Sequence, residues 1–137
     1  MKQIKSGYLI GVLFILGILL ILGLSWRSDP NLKGLPFMPL WIYSWADTYR
    51  FSAIRTAVPF LGLGTIIGFW LLIRKASFFQ FVMAWAILIG VVTVAELGQY
   101  FIPSRDVDLK DIFWGGIGGF SGLAVNYVLL KLLRLFR

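Results

Sequence analysis

Four long apolar runs alternate with short polar breaks along the chain: Tyr8 to Trp26, Ala57 to Ile73, Phe78 to Ala95 and Ile112 to Leu133. A helix needs about 20 largely apolar residues to cross a hydrocarbon core, and each run approaches that length. The second is the shortest and is expected to continue N-terminally past Arg55. None alternates polar with apolar positions, which excludes the strands of a membrane barrel. Between the second and third runs lies only Arg74-Lys75-Ala76-Ser77, a turn that joins two antiparallel helices. The first connection, roughly Arg27 to Thr56, holds Pro30, Pro36 and Pro39, followed by an aromatic stretch from Trp41 to Arg50 with Trp41, Tyr43, Trp45 and Tyr49. These amphipathic rings favour the headgroup layer, and the stretch reads either as an interfacial helix or as an irregular loop resting on the bilayer. The predicted fold is therefore a single all-α domain over residues 1–137, a four-transmembrane-helix bundle.

Composition reinforces the pattern. With 59% hydrophobic residues, 14% charged residues and a mean hydropathy of +0.86, the chain holds more apolar surface than one soluble core of its size can cover. Cysteine and histidine are absent, so disulfides, thiolate nucleophiles, imidazole bases and Cys/His metal sites are excluded; neither a metal nor a cofactor is expected. The net charge of +7 comes from short basic clusters beside apolar runs. That arrangement differs from a nucleic-acid surface, so nucleic acid is not an expected partner.

Charge distribution gives an orientation. Lys2, Lys5, Arg74, Lys75, Lys131, Arg134 and Arg137 fall on one side of the four spans. The other side receives Arg27, Lys33, Arg50, Arg55, Arg105 and Lys110, with all 6 acids: Asp29, Asp47, Glu96, Asp106, Asp108 and Asp111. The cations divide almost evenly; two lysines before the first span and the compact Arg74-Lys75 turn tip the balance toward cytoplasmic termini. Lys2 and Lys5 also resemble the start of a secretion signal, but the apolar run is long and Leu24-Ser25-Trp26-Arg27 lacks a small-x-small cleavage pattern, so a retained first span is expected.

The segment from Glu96 to Gly122 concentrates the candidate chemistry. Glu96 and Gln99, three apart at the end of the third span, share a helix face and present a carboxylate beside an amide. Pro103 ends that helix. Asp108 and Asp111 stand at or before the start of the fourth span, where a carboxylate accepts from free backbone N–H groups. Arg105 lies between these acids and can bridge Glu96 and Asp108 or clamp a phosphate or carboxylate. Glu96 follows the apolar run Ala84 to Ala95, so its charge must face the bundle and find a partner; Arg55, before the second span, is under the same constraint. Asp106 and Lys110 read as solvated bystanders. Gly115, Gly116, Gly118, Gly119 and Gly122 crowd one side of the fourth span, with Gly115/Gly119 and Gly118/Gly122 in small-xxx-small spacing, repeated by Gly64/Gly68 in the second. Such glycines let helix backbones approach closely, within one chain or between the chains of a homo-oligomer.

Glu96-x-x-Gln99, Arg105-x-x-Asp108-x-x-Asp111 and Gly118-x-x-x-Gly122 together resemble the signature of VanZ-like membrane proteins. The entrance of the second span, Arg55-Thr56-Ala57-Val58-Pro59-Phe60-Leu61-Gly62-Leu63-Gly64, is similar to the corresponding segment of that family. The resemblance covers roughly Arg55 to Gly122, and it departs at Gly115, where the family often carries an asparagine. It implies a multi-pass protein of the bacterial plasma membrane linked to glycopeptide and lipoglycopeptide susceptibility, without specifying a reaction. The expected function is binding of an anionic lipid or a cell-wall precursor head group at an outward polar pocket formed by Arg55, Glu96, Gln99, Arg105, Asp108 and Asp111. Membrane lipids, such a precursor or the antibiotic itself are the expected partners. The alternative is a lipid-head hydrolase or transferase using Glu96 or Asp111 as base, with Arg105 on the phosphate.

Overall fold

The computed structural model describes residues 2–48 and 52–136, and among these every regular element is helical. Tyr49 and Arg50 of the aromatic stretch, and Arg137 of the basic side, lie outside the described residues. The principal helices are α1 (Lys2–Ser25), α2 (Leu40–Ala46), α3 (Ser52–Arg55), α4 (Ala57–Ile73), α5 (Phe78–Gly98) and α6 (Leu109–Leu135). Among the described residues, three helical segments are long and apolar enough to cross a membrane: Gly7–Ser25, Phe78–Phe101 and Leu109–Leu135. The helix Ala57–Ile73 is equally apolar but has only 17 residues.

The limits follow local chemistry. α3 and α4 are separated only at Thr56, where Pro59 has no N–H to offer the Arg55 carbonyl. The aromatic stretch forms the helix of the two sequence alternatives over Leu40–Ala46, directly after Pro39 as its N-cap. α5 opens with the Gln80 side chain accepting from the Ser77 N–H at 2.9 Å, half of a capping box. α4 ends with the N–H of Ala76 on the Leu71 carbonyl and that of Lys75 on Leu72, both at 3.0 Å, the two bonds of a Schellman turn. Lys75 takes the left-handed position there, at φ 53°, which costs a non-glycine residue about 1–2 kcal/mol. Lys75→Gly is accordingly expected to raise stability by about 1 kcal/mol, measured as a higher midpoint of unfolding in detergent.

Contacts fix the directions of the helices. Gly17 of α1 meets Leu63 of α4 while Gly7 meets Trp70 and Arg74, so these two run antiparallel. Along α4 and α6, Ala57 meets Gly118, Leu61 meets Gly122 and Gly68 meets Asn126, so those two run parallel. Val92 and Leu88 of α5 pack on Gly115 and Gly119 in the opposite sense. The end of α1, the starts of α4 and α6 and the end of α5 therefore share one end of the bundle, with Glu96, Asp108 and Asp111. The opposite end joins the Arg74-Lys75 turn to the end of α6, where Arg134 donates to the Lys75 carbonyl at 2.7 Å.

The glycines divide between two faces of α6. Gly118 and Gly122 lie against the α4 backbone, and the Gly119 carbonyl touches Gly64. Gly115 and Gly119 receive Val92 and Leu88 of α5, which are 1% and 0% exposed. These small-residue faces are thus occupied within one chain. Asn126, buried beside them, donates to the Gly122 carbonyl at 2.9 Å and to the Thr65 carbonyl at 3.3 Å, joining α6 to α4. Bulky residues point the other way: Phe113, Phe120, Val125, Val128 and Leu129 are exposed. Small residues inside and large apolar residues outside is the arrangement of helices packed in lipid.

Candidate functional site

The polar site is built where α5 gives up its regular hydrogen bonding. Gln99 turns its N–H to the Glu96 carbonyl at the start of a 3-10 turn, Gln99–Phe101. The Ala95 carbonyl is thereby left for other donors, and two arrive from the end of α1: Ser25 Oγ at 3.2 Å and Trp26 Nε1 at 3.0 Å. Gly98 makes room for this visit, since a Cβ there would collide with the Trp26 indole.

Glu96 and Gln99 are 3% and 4% exposed, yet both are well supplied with partners. Gln99 Nε2 donates to Glu96 Oε2 at 3.1 Å and to Ser25 Oγ at 2.9 Å, while its Oε1 accepts from Arg105 Nε at 3.1 Å. Donor and acceptor neighbours together fix the orientation of the amide. The second carboxylate oxygen, Glu96 Oε1, accepts the Asp108 backbone N–H at 2.6 Å. Such charge-assisted bonds are what a buried carboxylate needs to offset its desolvation. Of the two roles open to Arg105, bridging Glu96 and Asp108 or clamping a phosphate or carboxylate, the direct bridge is not the one made: Glu96 joins Asp108 through the Asp108 main chain, and Arg105 reaches Glu96 through Gln99. The backbone N–H is closer to the helix than a long arginine side chain, and it needs an acceptor once the loop is folded back.

Asp108 is the N-cap of α6, accepting from the Lys110 N–H at 2.9 Å. Asp111, in the first turn of α6, accepts a hydrogen bond from the Thr56 side chain and lies within electrostatic reach of Arg55 and Arg105. Arg55 Nη1 stands 3.5 Å from the carbonyls of Pro30 and Ala46, tying the first loop and the end of α2 to the site. Burial, and then the charge of Arg55, lower the pKa of Arg105, while Glu96 and Asp111 oppose the fall. An arginine remains cationic under such shifts. Asp106 and Lys110 are exposed. All the predicted site residues therefore gather at one end, with Ser25, Trp26, Thr56 and Gly98 as members that sequence reading missed. Their signal was depth: Ser25 and Trp26 end an apolar run at the level where Glu96 ends another.

Among the described residues no group of three carboxylates is close enough to hold a metal ion. The other acids of this end serve the first loop. Asp47 accepts the N–H groups of Leu32 and Lys33 at 2.8 and 3.0 Å, and Asp29 accepts that of Asn31 at 2.9 Å. In comparisons with protein families, curated proteins and solved structures, nothing matches this chain.

Proposed function

We propose that the chain is a four-span, VanZ-like protein of the bacterial plasma membrane. Its polar end faces outward and binds the anionic head group of a membrane lipid or lipid-linked cell-wall precursor. α4, the second run, completes the four spans: its 17 residues rise about 25 Å, and α3 continues it toward the interface. Cytoplasmic termini follow from the compact Arg74-Lys75 turn and the two lysines, Lys2 and Lys5, before the first span. Because the chain has no cysteine, Ser104→Cys gives a single reporter; labelling by an impermeant reagent in intact cells is expected, and labelling only after permeabilisation would reverse the orientation.

The observation that carries the binding role is the placement of two arginines within mutual electrostatic reach. Among the described residues, Arg105 hydrogen-bonds a side chain only through its Nε, and Arg55 makes only long hydrogen bonds to carbonyls, with Asp111 within electrostatic reach of both. A phosphate between them would relieve their repulsion and accept from the remaining guanidinium N–H groups. Glu96 and Asp111 are already engaged by protein donors, which supports a positioning role for them over that of a general base. With purified protein in nanodiscs and a polyprenyl diphosphate as probe, Arg105→Ala is expected to weaken binding about tenfold or more, the scale of a charged hydrogen bond. Asp106→Ala should leave binding unchanged. Equal affinity for the parent and a folded Arg105→Ala protein would remove the proposal, and any glycopeptide phenotype should follow the binding.

A further inference from the structure

A second feature lies at the opposite, basic end, and it does not depend on the polar cluster. Between α1 and α4 a groove of about 410 Å³ is lined by Gly7, Tyr8, Gly11, Val12, Ile15, Trp70 and Arg74. Gly7 and Gly11, one turn apart, form its floor. Nothing lies within 4 Å of the place a Cβ on Gly11 would occupy. Above Gly7 the nearest atoms to that place are Arg74 Nη2 at 3.5 Å and Trp70 Nε1 at 3.6 Å. Two N–H donors of different side chains thus converge on one point at the head of an apolar channel.

Among the described residues, the Trp70 indole N–H and the Arg74 guanidinium have no hydrogen-bond acceptor. The guanidinium rests on the Trp70 ring, with Cζ 4.5 Å from its centroid, a contact that orients it without satisfying its N–H groups. The sequence places no acid at this end, whereas Lys75, Lys131 and Arg134 add positive charge. An oxyanion is the missing acceptor: one tetrahedral phosphate can take both donors. The remainder of the groove, from Gly11 to Ile15, is apolar and offers nothing to a free anion.

We propose that this groove binds an anionic phospholipid, its phosphate against Arg74 and Trp70 and one acyl chain laid over Gly11 toward Ile15. The two halves of the groove correspond to the two halves of such a molecule. Basic pockets between helices at a membrane surface select charged head groups in this way. The open space over Gly11 is what allows the acyl chain to lie close to α1.

The test uses the full chain in nanodiscs containing equal amounts of phosphatidylglycerol and phosphatidylcholine, followed by native mass spectrometry of the released protein. The parent is expected to retain phosphatidylglycerol with about a fivefold preference, the scale of one cation at the surface. Arg74→Gln should bring that preference to about one, and Trp70→Phe, which keeps an aromatic face under the guanidinium but deletes the indole N–H, should reduce it. Gly11→Leu, whose side chain enters open space, should lower retention of both lipids with an unchanged unfolding midpoint. Lys75→Gln, beside the groove but not lining it, should preserve the preference. Equal loss in Arg74→Gln and Lys75→Gln would mean diffuse surface charge and would overturn the proposal. So would equal retention of the two lipids by the parent, or displacement of phosphatidylglycerol by millimolar inorganic phosphate, since the apolar half would then contribute nothing.

Discussion

Gly118→Ala is expected to destabilise the protein by about 3 kcal/mol, although it adds one methyl group and improves helix propensity. The new Cβ would occupy the place of the Ala57 carbonyl, and that carbonyl belongs to backbone, so no side chain can rotate away. α4 and α6 must separate, and separation loosens the neighbouring contacts of Gly64 with Gly119 and of Gly122 with Leu61. Gly62→Ala supplies the contrast. It makes the same chemical change on α4 at a position with nothing within 4 Å, and should be neutral or stabilising by up to about 1 kcal/mol. Unfolding in detergent followed by circular dichroism compares them directly. Similar midpoints for the two variants would mean that α4 and α6 are not in backbone contact.

Glu96→Ala should cost about 3 kcal/mol as well, for a different reason. It deletes the acceptor of two charge-assisted hydrogen bonds, leaving the Asp108 N–H unpaired and Gln99 Nε2 with Ser25 Oγ as its remaining acceptor. Glu96→Gln is instructive because it preserves shape. Its carbonyl oxygen can still accept from Asp108, but its amide nitrogen then faces the Gln99 nitrogen. Gln99 cannot turn over without presenting that nitrogen to Arg105 Nε. About half of the alanine effect is therefore expected. Amide hydrogen exchange at Asp108 provides a local readout: it should accelerate strongly in Glu96→Ala and less in Glu96→Gln. Protection of that amide at the parental level in Glu96→Ala would show that the carboxylate does not hold the loop.

Much of this architecture is legible in the sequence because it depends on run length and punctuation. The limits of α4 coincide with the predicted apolar run, the expected continuation past Arg55 being a separate helix, α3, broken from it at Thr56, and Asp108 caps α6 as its position before that helix implies. Rotation about each helix axis is harder to read. In helices that are apolar all round, no polar face identifies the side that turns inward. The spacing of Gly115, Gly118, Gly119 and Gly122 reveals close packing, but not that the first and third receive α5 while the other two receive α4. The same ambiguity hides Asn126, one amide in a long apolar run, which proves to be buried and bonded to α4. In the polar site, the pairing of Glu96 with Gln99 is local and readable. The visit of Ser25 and Trp26 is not, because it depends on a carbonyl released only when α5 tightens into a 3-10 turn.

The tightest seam in the molecule joins α4 to α6, helices separated in the chain by all of α5. Synthesis therefore delivers one half of the seam well before the other. Until Gly118, Gly122 and Asn126 have left the ribosome, the glycine surface of α4 has no mate, and the hairpin of α4 with α5 must persist in a provisional packing. Assembly of the core is consequently tied to the arrival of the last helix, and the nascent chain passes through an interval in which its most closely fitting surface is open to substitution by other helices.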